Sequence, residues 1–108
     1  MKQQRDSLAD LGRFSEPALY ILISLAEGPK HGYAMTQDIE AVTGQKLGPG
    51  TLYGAIARLE ARHWIEPLPA EERRRPYRLT TSGHAVLRHR LQSLQSLAKV
   101  GRARLAEG

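Results

Sequence analysis

Apolar residues recur at helical spacing in four stretches of the chain and at strand spacing in two. The first stretch, Ala18, Leu19, Ile21, Leu22, Leu25 and Ala26, is the stripe of a helix buried on a broad face. Ser15 suits its N-cap, and Glu16 and Pro17 suit its first turn. Gly28-Pro29 ends it, with Gly28 expected in a left-handed cap. A second helix is predicted to open near His31 to Tyr33, to carry Met35, Ile39 and Val42, and to stop at Gly44. Pro49 suits the first position of a third helix, whose narrow inner stripe is Leu52, Ile56 and Leu59. Its outer face presents Thr51, Gly54, Arg58, Ala61 and Arg62.

The period then falls to two. Residues 64–68 and 76–80 read as short strands joined by a charged loop. Pro67 and Pro76 confine these strands to edges or ends, so a two-stranded ribbon is expected and not a central sheet. Thr80 or Thr81 can cap a closing helix that runs from about Ser82 into the region of Ala103. Along it Leu87, Leu91, Leu94, Ala98, Gly101 and Leu105 step 4-3-4-3-4, the seam of a coiled coil or antiparallel helix pair, widened by Leu97 and Val100. The polar residues 1–14 contain Leu8 and Leu11, enough for a short amphipathic helix.

Three helices, a small β-ribbon wing and a closing helix describe a mainly α winged helix-turn-helix. Residues 1–14 are then an N-terminal segment, 15–80 the winged-helix DNA-binding domain and 81–108 a C-terminal dimerisation helix. A helix that enters the major groove must bury one side in its own domain and offer short or basic side chains on the other. The third helix meets both conditions, and Gly54 and Ala55 are expected to keep its outer surface low. The alternative for this helix alone is an ordinary amphipathic surface helix.

Composition and charge sharpen this picture. The 108 residues fit one domain with a modest core, for which a partner subunit is a source of further burial. Net charge is +5, and its distribution is uneven. One base, Lys30, stands against four acids in residues 15–43, whereas residues 44–80 hold seven bases against four acids and residues 81–108 five against one. A basic second half favours a polyanionic partner. The absence of cysteine excludes a disulfide scaffold and thiolate metal sites. No apolar run approaches the roughly 20 residues that cross a bilayer, and the first residues lack the apolar core of a signal peptide, so a cytoplasmic location is expected.

Enzymatic motifs are missing. Gly44, Gly48 and Gly50 lack the Gly-Lys-Ser/Thr of a phosphate loop, His84 and His89 are misplaced for a zinc site on one helix face, and no Gly-x-Ser-x-Gly elbow occurs. Neither a cofactor nor a metal is expected.

The segments Gly28-Pro29-Lys30-His31-Gly32-Tyr33, Pro49-Gly50-Thr51-Leu52-Tyr53 and Tyr77-Arg78-Leu79-Thr80-Thr81-Ser82-Gly83 resemble, in order and spacing, the PadR family of bacterial transcriptional regulators. The similarity covers roughly residues 17–87, and a single helix after the wing looks like the short subclass. It implies a homodimeric regulator, usually a repressor, on a near-palindromic operator, with release by a small-molecule effector. Where the family usually has glycine after the third helix, this chain has His63, which adopts a left-handed conformation more readily than most residues. Some short members stack drugs on a tryptophan of the final helix, and this chain has none there.

On this reading Lys46, Gly50, Thr51, Tyr53, Gly54, Arg58 and Arg62 face DNA, with Arg73, Arg74 and Arg75 at the wing tip along phosphates or a minor groove. Solvated charge is the alternative for the arginines, and half-buried packing for Tyr53. The resemblance implies that His31 and Tyr33 help place the second helix on the DNA backbone or shape an effector pocket near the dimer interface; with Trp64 they are weak effector candidates, for which capping or core packing is the competing role. The rival to the whole reading is a winged-helix module that docks on acidic protein partners.

Overall fold

A computed structural model describes residues 16–108. The expected helix around Leu8 and Leu11, and the cap at Ser15, lie outside these residues. Helix α1 (Glu16–Ala26) is followed by strand β1 (Lys30–His31), helix α2 (Gly32–Thr43) and helix α3 (Pro49–Ala61). Strands β2 (Ile65–Pro67) and β3 (Pro76–Leu79) form the wing, and helix α4 (Thr81–Glu107) closes the chain.

The helices end where local chemistry dictates. His31, in extended backbone, caps α2 by accepting from the Ala34 amide, and Gly44 stops the helix at φ +77° while its amide donates to Glu40 at 2.8 Å. Gly28 also has positive φ, but at +156° it lies outside the compact left-handed basin expected of it. Pro49 opens α3 after an extended Gly48. At the other end of α3 His63 is left-handed at φ +61°. Its amide donates to Glu60 at 2.9 Å and the Trp64 amide to Leu59 at 3.1 Å, the paired bonds of a Schellman motif with histidine in the usual glycine position.

The sheet corrects one expectation. It has three strands in the order β1-β3-β2, all antiparallel, so β3 is central. Residues Lys30 and His31 pair with Tyr77 and Pro76, while Ile65, Glu66 and Pro67 pair with Leu79, Arg78 and Tyr77. Pro76 is tolerated because it is the first residue of its strand. β1 is two residues long and has no period to read.

One core joins these elements. Ile21, Leu22 and Leu25 from α1 meet Met35 and Ile39 from α2, Leu52, Ile56 and Leu59 from α3, and Ile65 and Leu79 from the sheet. Each such buried side chain contributes about 1.5–3 kcal/mol relative to exposure. Two sequence assignments shift. Ala55 is only 3% exposed and faces this core instead of lowering the outer surface of α3. Leu87, expected in the dimer seam, is 5% exposed and packs in the domain's own core.

Lys30 ties the acidic first half together. Its ammonium donates to the Ser24 carbonyl at 2.5 Å, lies 2.9 Å from Glu27 and 3.9 Å from Asp38, and so links the end of α1 to α2.

The start of α4 is fastened to the end of α3. Thr80 Oγ1 accepts from the Gly83 amide at 3.0 Å and donates to the His63 carbonyl at 2.6 Å, and Ser82 Oγ donates to that carbonyl at 3.3 Å. The Thr80 amide donates to the Trp64 carbonyl at 3.0 Å. Gly83 packs so closely on Trp64 that a Cβ there would overlap the Trp64 carbonyl.

Two substitutions test this junction with opposite signs. His63→Gly removes the left-handed penalty while leaving the carbonyl bonds, and is expected to stabilise by up to about 1 kcal/mol, raising the thermal midpoint by roughly 4–8 °C. A fall in the midpoint, followed by circular dichroism, would contradict the assignment. Gly83→Ala forces two backbones apart and is expected to cost about 1–3 kcal/mol or more in chemical denaturation; an unchanged midpoint would refute the close contact.

Candidate nucleic-acid interface

The outer side of α3 is built by what its inner side buries. With Leu52, Ala55, Ile56 and Leu59 turned inward, Thr51, Tyr53, Arg58 and Arg62 are exposed and Gly54 is half-exposed. Lys46 and Gly50, before and within the first turn, are exposed as well. Gly48, the N-cap residue, supplies no side-chain cap to the first amides of α3. The positive end of the helix dipole and the Lys46 charge therefore lie at the same place.

Tyr53 is held by its neighbour helix. Its ring lies over Gly32, where a Cβ would come within 2.5 Å of the phenolic oxygen, and the residue remains 54% exposed. Gly32 thus leaves room for the hydroxyl end of the Tyr53 ring at the start of α2. At the far end of α3 the Arg62 guanidinium lies 5.1 Å over the Trp64 ring, a cation–π contact. Trp64 is half-buried against the core, with a ring face covered by Arg62.

The wing ends in a two-residue turn. Glu71 and Arg74 exchange both backbone hydrogen bonds, at 2.7 and 2.8 Å, and Glu72 and Arg73 between them have φ of +49° and +71°. Positive φ at both central positions is the type I′ arrangement, which follows the twist of a hairpin. The three arginines then diverge. Arg75 donates to the Leu68 carbonyl at 3.0 Å, whereas Arg74 turns back to lie 3.3 Å from His31 Nε2 and 5.9 Å over the Tyr33 ring. Arg73 stays at the apex. Arg78, the third residue of β3, is paired with Glu66 at 3.0 Å across β2 and β3.

Between the start of α2, the start of α3 and the wing lies a cleft of about 350 Å³. His31, Gly32, Tyr33, Tyr53, the three wing arginines and Tyr77 line it. The cleft brings together His31 and Tyr33, Tyr53 and the wing, but not Trp64. Among the described residues no cluster of His, Cys, Asp or Glu could hold a metal ion.

The model of the PadR-like family of transcriptional regulators matches residues 21–89. The chain belongs to this family. Its similarity to an uncharacterized protein of a Streptomyces fradiae transposon is 44% identity over 86 residues, covering 80% of this chain but 25% of that protein, so the chain spans a quarter of that relative. A transcriptional regulator of Mycobacterium tuberculosis is 37% identical over 87 residues, covering 75% of this chain and 78% of the relative. Among solved structures, a transcriptional regulator of Clostridium thermocellum is 30% identical with a TM-score of 0.71, over 88% of this chain and 90% of that one. A PadR-like transcription factor of Bacteroides fragilis, 20% identical, shares the fold with a TM-score of 0.79 over 89% and 96% of the two chains.

In this PadR-like chain Tyr77 is the site residue that sequence reasoning passed over. Burial is the main cause that pushes its phenol up from the ordinary tyrosine value; Glu60 and Tyr53 add to the shift and Arg75 opposes it. The hydroxyl therefore keeps its proton and can donate. Period-two alternation was the available signal, because Tyr77 and the buried Leu79 share one side of β3.

Helix α4 reaches well beyond the domain. At 1.5 Å per residue its 27 residues extend roughly 40 Å, and after Leu87 none is buried. Leu91, Leu94, Leu97, Val100 and Leu105 are between 40% and 82% exposed, and Ala98 and Gly101 are exposed among them. No helix among the described residues is long and apolar enough to cross a membrane.

Proposed function

We propose that the chain is a sequence-specific DNA-binding transcriptional regulator that acts as a homodimer. One observation carries this reading: α3 buries a complete inner stripe while its outer side, with Thr51, Tyr53, Arg58 and Arg62, stands beside an arginine-tipped wing. Helix α3 enters the major groove, Arg58 meets a base edge or phosphate, and the wing lies along the backbone. Lys46 and the first amides of α3 take a phosphate.

The exposed stripe from Leu91 to Leu105 supports pairing of two copies through α4, with residues 1–14 assisting. Leu87 anchors α4 to its own domain, so the angle at which α4 leaves that domain sets the distance between the two α3 helices. Two major-groove contacts about one helical turn apart, roughly 34 Å, require an operator of near two-fold symmetry. The resemblance to PadR regulators supports repression in the cytoplasm, relieved by a small molecule that binds better to a dimer of the wrong spacing. His31 and Tyr33 remain candidates for contact with such an effector; Trp64 is a weaker one, with a ring face already covered by Arg62.

The deciding experiment is binding to duplex DNA from beside the chain's own coding sequence, with a salt titration. Steep loss of affinity with salt and preference for one promoter are expected; no binding at low salt would overturn the proposal. Arg58→Ala is expected to cost about 1–3 kcal/mol on the preferred sequence, and equal binding by variant and parent would remove Arg58 from the interface. Leu91→Asp combined with Leu94→Asp is expected to give monomers in sedimentation, whereas an intact dimer would refute pairing through α4.

A further inference from the structure

The hydrogen bonds of His31 fix where its proton lies. The Ala34 amide donates to Nδ1 at 3.3 Å, so Nδ1 carries no hydrogen. A neutral imidazole then bears its proton on Nε2. That nitrogen lies 3.3 Å from Nη1 of Arg74, which reaches back from the wing. A guanidinium only donates. Two N–H groups thus converge on one point of the cleft, and neither satisfies the other.

The surroundings are of the same kind. The Tyr33 hydroxyl accepts from the Gln37 amide at 3.2 Å, which leaves its own proton to donate, and its ring lies beneath the Arg74 guanidinium. The Tyr53 hydroxyl rests over Gly32 at the edge of the same space. No carboxylate lines the cleft. Donors without an acceptor between them are complementary to an anionic oxygen, and nitrogens 3.3 Å apart allow one oxygen to lie at about 2.8 Å from both.

We propose that the cleft between α2 and the wing is an oxyanion site, in which one phosphate or carboxylate group bridges His31 Nε2 and the Arg74 guanidinium. The N-cap bond selects the imidazole tautomer that donates, so the bond that starts α2 also arms the site. The bound oxygen replaces an opposed pair of donors by two charge-assisted hydrogen bonds and ties the wing to α2. The group has two possible sources, a phosphate of the DNA backbone or a free small oxyanion. The site itself stands on the geometry of the cleft, and only the DNA arm of its test rests on the regulatory reading.

The test uses the full chain, labelled with ¹⁵N, titrated with inorganic phosphate at constant ionic strength and mildly alkaline pH. Saturable shifts are expected at His31 Nε2 and at the Arg74 guanidinium, with Nδ1 keeping the signature of an unprotonated nitrogen. His31→Asn keeps an acceptor for the helix cap, and Arg74→Gln removes the guanidinium from an exposed wing position, together with its contact to the Tyr33 ring. Each is expected to weaken phosphate binding by about tenfold, the worth of one charge-assisted hydrogen bond. Should His31→Asn fail to fold, Arg74→Gln carries the comparison. In a second arm, phosphate is added to the chain on a duplex, against chloride of matched ionic strength. Displacement of the duplex assigns the site to a backbone phosphate, and occupancy without displacement assigns it to a free oxyanion. No saturable shift in the parent chain, or parental affinity in both variants, overturns the proposal. Duplex binding without the phosphate shift would do so while leaving the regulatory reading intact; phosphate capture without duplex binding would do the reverse.

Discussion

The contact between the Gly83 backbone and the Trp64 carbonyl governs the geometry of the whole molecule. At this point the end of α3, the start of β2, the end of β3 and the start of α4 meet within a few bonds, with Thr80 Oγ1 joining three of them. Backbone packed on backbone leaves no side chain to flex, so the angle between α3 and α4 is a property of the fold and not of a rotamer. Under the proposed pairing of two copies on DNA, this angle would convert the pairing of two long helices into a distance between two reading helices. The left-handed His63 belongs to the same device, because it turns the chain where the Trp64 carbonyl, just before β2, meets Gly83 at the start of α4.

Much of the fold was legible because its signals are local. Pro49, Gly44 and Thr80 mark helix ends through rules that span a few residues, and each stands at a helix end in the structure. The left-handed conformation at His63 was expected from the resemblance, because PadR regulators usually have glycine at that place after the third helix. Two-residue β1 escaped because a strand that short has no alternation, and its partner strand lies more than 40 positions away. Ala55 and Leu87 were misplaced for other reasons. For Leu87, a stripe of apolar residues says that a face is covered but not by what; Ala55, expected on the outer face, is small enough for either side of a helix, and both residues serve the domain's own core.

The candidate site shows the same division. The outer face of α3 follows from its inner stripe and could be read directly. The cleft could not, because His31 and Arg74 are 43 residues apart and meet only when β1 pairs with β3. Its chemistry likewise depends on a bond no sequence shows: the Ala34 amide decides which nitrogen of His31 faces the wing. Tyr77 joins the site through burial on a strand whose neighbours draw the eye as a run of charge.

The wing apex has a consequence of its own. Glu72 and Arg73 occupy positions where asparagine and glycine relieve a hairpin, and each L-residue held there stores roughly 1–2 kcal/mol of steric strain. Glycine at the second position would be the relaxed solution, but it would also discharge the tip. The hairpin therefore keeps its apex arginine at the cost of a strained turn.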